Sequence, residues 1–177
     1  MKRFAPMLFA LALMMFATAA VAGDTFPDMK LSGKLSDAQK AYLGVTADSF
    51  NVSEIKGDYL FVEAYSMYCP ICQRDAAEVN EMYAAMASVD PKSTVKFVGL
   101  AMGNTPFEVE FYRKKYEVEF PLFQDEDYSV HKALKEVGTP AFYIVKLDTL
   151  EILFMSEGEL KDKDALMETL KANTNLQ

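Results

Sequence analysis

Tyr59-Leu60-Phe61-Val62-Glu63-Ala64-Tyr65-Ser66-Met67-Tyr68-Cys69-Pro70-Ile71-Cys72 decides how this chain folds. An apolar, aromatic-rich run of strand length breaks at Ser66 and delivers two cysteines separated by two residues. Beyond them Ala76, Val79, Met82, Tyr83 and Met86 recur at helical spacing, which places the pair at a strand-to-helix junction. The first turn of a helix leaves backbone N–H groups unpaired and carries the positive end of the macrodipole, an environment that favours a thiolate. The thiolate is the form that attacks a disulfide, and Cys-x-x-Cys pairs so placed have depressed pKa values. Pro70 suits the first helical turn, where its missing N–H costs nothing and its φ is already helical. This geometry exposes Cys69 as the nucleophile and leaves Cys72, one turn further in, shielded and able to resolve a mixed disulfide.

Cys69 and Cys72 are the only cysteines in the chain. A zinc site would need two further ligands, which the single histidine, His131, cannot supply. Haem attachment needs Cys-x-x-Cys-His, and Gln73 follows here. A loop this short gains little as a structural staple. The remaining reading is a redox-active pair.

Residues 1–22 have the organisation of a secretory signal peptide. Lys2 and Arg3 form the basic end, Met7 to Phe16 the apolar core, and Ala20-Val21-Ala22 a small-residue cleavage site. The uncharged run from Phe4 to Ala22 is also long enough to serve as an uncleaved anchor. Cleavage leaves residues 23–177, enough for one domain with a sizeable core. Losing Lys2 and Arg3 takes the formal net charge from −8 to −10. That acidity disfavours nucleic acid and anionic lipid as partners. No repeat, low-complexity tract or Gly/Ser linker marks a second domain.

The rest of the chain alternates strands and helices. A short helix is expected over Ser36–Leu43, with Ser36 and Gln39 as a capping box. A short strand follows at Ser49–Val52, then the central strand Tyr59–Tyr65 and a cysteine-bearing helix to about Ala87. Val95–Ala101 reads as a buried strand. Pro106 opens a helix to about Tyr116 with Phe107, Phe111 and Tyr112 on one face. Phe120–Phe123 is extended and Tyr128–Val137 helical. Ala141–Lys146 and Glu151–Ser156 form a hairpin turning at Asp148-Thr149, and Asp162 caps a last helix ending near Leu170. Early alternation with a terminal hairpin and helix indicates an α/β fold around a mixed sheet. Gly103-Asn104-Thr105 reads as a turn with a helix cap, Met82 and Met86 as core, and His131 as a surface residue.

Val62 to Cys72, followed far downstream by Gly138-Thr139-Pro140, resembles the thioredoxin fold. The intervening Asn104–Asp125, with Phe120-Pro121-Leu122 and its acidic turn, is similar to the extra helix–strand unit of TlpA/ResA-like periplasmic thiol–disulfide oxidoreductases. The likeness covers about residues 45–170. It implies a mixed central sheet flanked by helices, with the extra unit inserted before a cis-proline at Pro140.

The same resemblance implies roles for individual residues. Thr139 and Pro140 would face the cysteines and leave a backbone edge for a substrate peptide, with Tyr68 and Pro70 completing the substrate-binding surface. Glu63, six residues before Cys69, matches the buried acid of thioredoxins, and desolvation would raise its pKa and let it relay the proton of Cys72. Asp75, three residues after Cys72, matches an acid many TlpA-like proteins carry. On the first helical turn it reads equally as a charge favouring the helix dipole.

Two departures stand out: Tyr68 replaces the usual tryptophan, and Pro70-Ile71 lacks the histidine of strongly oxidising relatives. The second favours a reductase. The expected activity is an exported, cofactor-free reduction of protein disulfides, in a periplasmic compartment where disulfides persist. Protein thiol or disulfide substrates, with apocytochrome c cysteine pairs among those of relatives, and a re-reducing electron donor of the membrane-bound kind are the implied partners. A thiol oxidase, a peroxiredoxin-like peroxidase and a non-catalytic binding module are the alternatives. Cys-x-x-Cys spacing argues against the peroxidase, although Ser66 lies three positions before Cys69 and Phe120-Pro121-Leu122 is similar to that family.

Overall fold

The computed structural model describes residues 23–92 and 94–176, so the proposed signal peptide at 1–22 lies outside the described residues. Five strands form the main sheet in the order β5-β4-β3-β6-β7. They are β3 (Tyr59–Tyr65), β4 (Val95–Met102), β5 (Leu122–Asp125), β6 (Ala141–Lys146) and β7 (Glu151–Glu157). β3 runs parallel to β4, and β4 to β5, while β6 is antiparallel to both β3 and β7. A separate antiparallel pair, β1 (Lys30–Ser32) and β2 (Ser49–Asn51), precedes them. The mixed α/β architecture expected from the sequence is the one observed.

β3 lies at the centre, and its near-continuous apolar composition follows from cover on both faces. Leu60, Val62 and Ala64 pack on one side with Phe26, Leu31, Leu43 and Phe50. Phe61 and Tyr65 pack on the other with Val79 and Met82 of α2 (Pro70–Val89), Tyr112 of α3 (Pro106–Lys115) and Leu170 of α5 (Lys163–Thr174). Met82 and Met86 are buried as expected. Each such large side chain removed from water contributes roughly 1.5–3 kcal/mol, so the register of β3 is strongly fixed.

Caps set several helix ends. In α1 (Asp37–Leu43) the Ser36 side chain accepts from Gln39 N–H, the Gln39 side chain accepts from Ser36 N–H, and Gly44 closes the helix at φ +68°. Thr105 and Glu108 form the same reciprocal cap on α3, and Asp162 accepts from Ala165 N–H on α5.

Some expectations are corrected. The helix expected over Tyr128–Val137 is only α4 (Ser129–Ala133), because Lys135 and Glu136 adopt positive φ and turn the chain away. His131 is half-buried rather than a surface residue, its Nε2 lying 2.9 Å from the Val137 carbonyl oxygen. Phe107 and Phe111 do not share the buried face of α3 with Tyr112. They are 78% and 48% exposed, and Val109 and Tyr112 supply the inward stripe. The extended segment near Phe120 is shifted along the chain, as β5. No helix among the described residues is long and apolar enough to cross a membrane.

Candidate active site

β3 ends at Tyr65, and a tight turn over Ser66–Cys69 carries the chain into α2. Three tethers hold that turn. Cys69 N–H donates to the Ser66 carbonyl at 3.0 Å. Met67 N–H donates to Asn104 Oδ1 at 2.8 Å, and Gln73 Nε2 donates to the Met67 carbonyl at 2.6 Å. Cys69 is the N-cap of α2, with Pro70 at the first position, and its Sγ accepts the Cys72 backbone N–H at 3.1 Å. A sulfur there meets an unpaired helix N–H directly, as the spacing implied.

The two thiols occupy different environments. Cys69 is half-buried and Cys72 is fully buried, both as free thiols. Burial, reinforced by the neighbouring Cys69 sulfur, pushes the Cys72 thiol far above its ordinary range. Across the site the Thr139–Pro140 peptide bond is cis. The Cys69 thiol donates to the Thr139 carbonyl at 3.3 Å, so residues 70 positions apart meet at one surface. Tyr68 is 64% exposed beside Cys69, and its hydroxyl donates to Glu108 of α3.

Glu63 lies on β3, near enough for its charge to act on Cys72, and is almost fully buried. Burial, with a smaller contribution from the charge of Asp75, raises its carboxyl to about 8. Its Oε1 has no hydrogen-bond partner among the described residues, and neither does the hydroxyl of Tyr65. Asp75 is buried rather than an exposed charge on the helix dipole. Its carboxylate accepts from Leu160 N–H at 2.7 Å and from Arg74 Nε at 2.9 Å, and Arg74 also reaches Glu159 at 3.0 Å. Asp75 therefore ties α2 to the loop after β7, and its charge also bears on Glu63.

Sequence reading missed Asn104, Tyr112 and Tyr65 at this site. Asn104 is fully buried, and the turn that it holds lies 37 residues upstream. Tyr112 donates from its hydroxyl to the Cys72 carbonyl at 3.0 Å. Helical periodicity marks Tyr112 as core and carries no sign of its partner. Among the described residues, no cluster of His, Cys, Asp or Glu is placed to hold a metal ion.

The AhpC/TSA family model matches residues 22–150. A thiol-disulfide oxidoreductase ResA from Bacillus cereus is 22% identical over 95% of this chain and 96% of its own. Among solved structures, a thiol:disulfide interchange protein of the thioredoxin family from Chlorobium tepidum superposes with a TM-score of 0.65 at 16% identity, covering 88% of this chain and 99% of that one. A secreted Mycobacterium tuberculosis disulfide oxidoreductase homologous to Escherichia coli DsbE gives 0.62 at 18% identity, over 82% and 96%. The chain belongs to the AhpC/TSA family, as a ResA-like thiol–disulfide oxidoreductase of the thioredoxin superfamily.

Proposed function

We propose that the protein is exported and reduces disulfides in protein substrates through a mixed disulfide, with Cys69 as nucleophile and Cys72 as resolving thiol. The observation that carries this reading is the asymmetry of the pair. Cys69 is accessible at the start of α2 and faces Thr139, while Cys72 is fully buried behind it. Substrate chain would lie along the backbone at Thr139 and Pro140, flanked by Tyr68 and Pro70.

Two electrons pass from the cysteine pair to the substrate. Cys69 thiolate attacks one substrate sulfur, forms the mixed disulfide and expels the other sulfur as a thiolate, which takes up a proton. Cys72 then loses its proton and attacks Cys69. The bond to substrate breaks, the second substrate thiolate leaves and is protonated, and the Cys69–Cys72 disulfide remains. Because burial holds Cys72 protonated, resolution needs a base, and Glu63 is the buried group with a carboxyl raised into the working range. Asp75 acts on this step through Glu63, since its charge raises that carboxyl.

The reductive direction rests on Pro70-Ile71, which adds no histidine to stabilise the Cys69 thiolate. Export rests on the arrangement of residues 1–22 as a signal peptide ahead of one domain spanning 23–177. The extracytoplasmic side of a cell is a setting that leaves re-reduction to a donor protein, for which a membrane-bound electron carrier is the candidate class. Apocytochrome c cysteine pairs are one substrate class this reading accommodates.

The test is turnover of insulin disulfides against turnover of hydrogen peroxide, combined with the redox state of the pair in cells by thiol trapping. Insulin reduction with a mostly reduced pair is the expected result. Peroxide turnover without insulin reduction would overturn the reading in favour of a peroxidase, and a fully oxidised pair in cells would reverse the direction.

A further inference from the structure

Tyr65 carries a hydroxyl that its packing does not use. Its ring stacks on Tyr112 with centroids 4.4 Å apart and 36° between planes. The ring also lies over Gly99 of β4, where a Cβ would come within 3.1 Å of the Tyr65 ring edge. A phenylalanine would fill the same space. The added hydroxyl is fully buried and has no partner among the described residues, a condition that costs folding free energy and is uncommon for a buried polar atom.

A second orphan lies on the same face of the same strand. Side chains two residues apart on a strand point to the same side, so Glu63 shares with Tyr65 the face that packs against α2 and Cys72. Glu63 Oε1 likewise lacks a partner among the described residues. The phenol of Tyr65 feels the charges of both Glu63 and Cys72. The two orphans are complementary. A protonated carboxyl tolerates the arrangement, but a buried carboxylate is short of donors, and a phenol is a donor that needs no charge of its own.

We infer that Tyr65 is a positioning residue for resolution, its hydroxyl donating to the carboxylate of Glu63, directly or through one water, when that acid is ionised and ready to take the proton of Cys72. The inference rests on the relay by Glu63 set out above. The other groups that face Glu63 do not supply such a donor. Asp75 and the Cys72 sulfur, both on α2, add negative charge when ionised, and the Tyr112 hydroxyl on α3 is already donating to the Cys72 carbonyl.

The test is Tyr65→Phe beside Glu63→Gln, with mixed-disulfide decay followed by stopped flow from pH 6 to 9.5. Infrared titration of the buried carboxyl C=O band is run in parallel. In Tyr65→Phe the carboxyl midpoint should rise by about one pH unit and resolution at pH 7 should slow about tenfold, with attack by Cys69 and thermal stability undiminished. Tyr65→Phe added to Glu63→Gln should slow nothing further. An unmoved midpoint and rate profile in Tyr65→Phe, while Glu63→Gln alone slows resolution, would overturn the role of Tyr65 and leave the relay standing. Wild-type resolution in both variants would overturn the relay itself. A Phe variant that fails to fold would show the hydroxyl to be structural, which also overturns the inference.

Discussion

The Sγ of Cys69 lies 3.3 Å from the carbonyl oxygen of Thr139. One residue begins a helix and the other precedes the cis-proline at the entry to β6. In the proposed mechanism this is the surface on which an incoming disulfide would meet the nucleophile and a backbone edge at once. Cys72 stands behind, out of contact with solvent.

That difference in access predicts selective alkylation. Iodoacetamide near neutral pH should label Cys69 in the reduced protein and spare Cys72, whose thiol is held protonated by burial. A Cys72→Ser variant should accumulate mixed disulfides with partner proteins, visible on non-reducing gels. Equal labelling of both cysteines, read by peptide mass spectrometry, would contradict the assignment.

Glu63 predicts an unusual dependence of stability on pH. Its carboxyl is raised from 4.5 to about 8 in the fold, so folding favours the neutral acid. The contribution is fully present below about pH 4.5. It is lost as pH rises from there to about 8, because the unfolded chain ionises and the folded one does not, at roughly 1.4 kcal/mol per pH unit. Glu63→Gln should therefore match wild type in urea melts near pH 5 and exceed it at pH 8.5 by a few kcal/mol. Parallel curves at both pH values would mean that Glu63 ionises freely in the fold.

Asp75 separates charge from hydrogen bonding. Asp75→Asn keeps an acceptor for Leu160 N–H but removes the charge that raises the Glu63 carboxyl. The infrared midpoint of that carboxyl should fall, with little change in melting temperature. Asp75→Ala leaves the Leu160 N–H and the Arg74 guanidinium without this acceptor, and should cost about 1–3 kcal/mol in chemical denaturation.

Asn104 should act at a distance from the chemistry. Asn104→Ala removes the acceptor of Met67 N–H in a fully buried position, at about 1–3 kcal/mol. Because that bond fixes the turn leading to Cys69, alkylation of Cys69 should also change its rate in the folded variant. Unchanged stability and unchanged alkylation would show that Gln73 and the Ser66 carbonyl hold the turn by themselves.

The sequence by itself determined the local features. The seven residues Tyr59–Tyr65, apolar but for Glu63 and followed by a break at Ser66, make a two-face-buried strand, and Cys-Pro-x-Cys after it makes a helix start. Ser36 with Gln39, and Asp162, mark helix entries through bonds that reach only three residues. Signals of that range are written in the order of residues. Glu63 was singled out by the resemblance to thioredoxins, six residues before Cys69, because strand alternation alone cannot decide whether it is buried.

Tertiary structure decided whatever depends on a distant partner. Asp75 is buried against Leu160, 85 residues away, and Asn104 reaches back 37 residues to Met67. The helical reading of Tyr128–Val137 failed because Lys135 and Glu136 turn at positive φ, and His131 lies against the Val137 carbonyl of the loop that leads to Pro140. Phe107 and Phe111 have the spacing of a buried stripe and are exposed, since α3 packs through Val109 and Tyr112. Periodicity states which residues share a face, and only the neighbouring elements decide which face is covered.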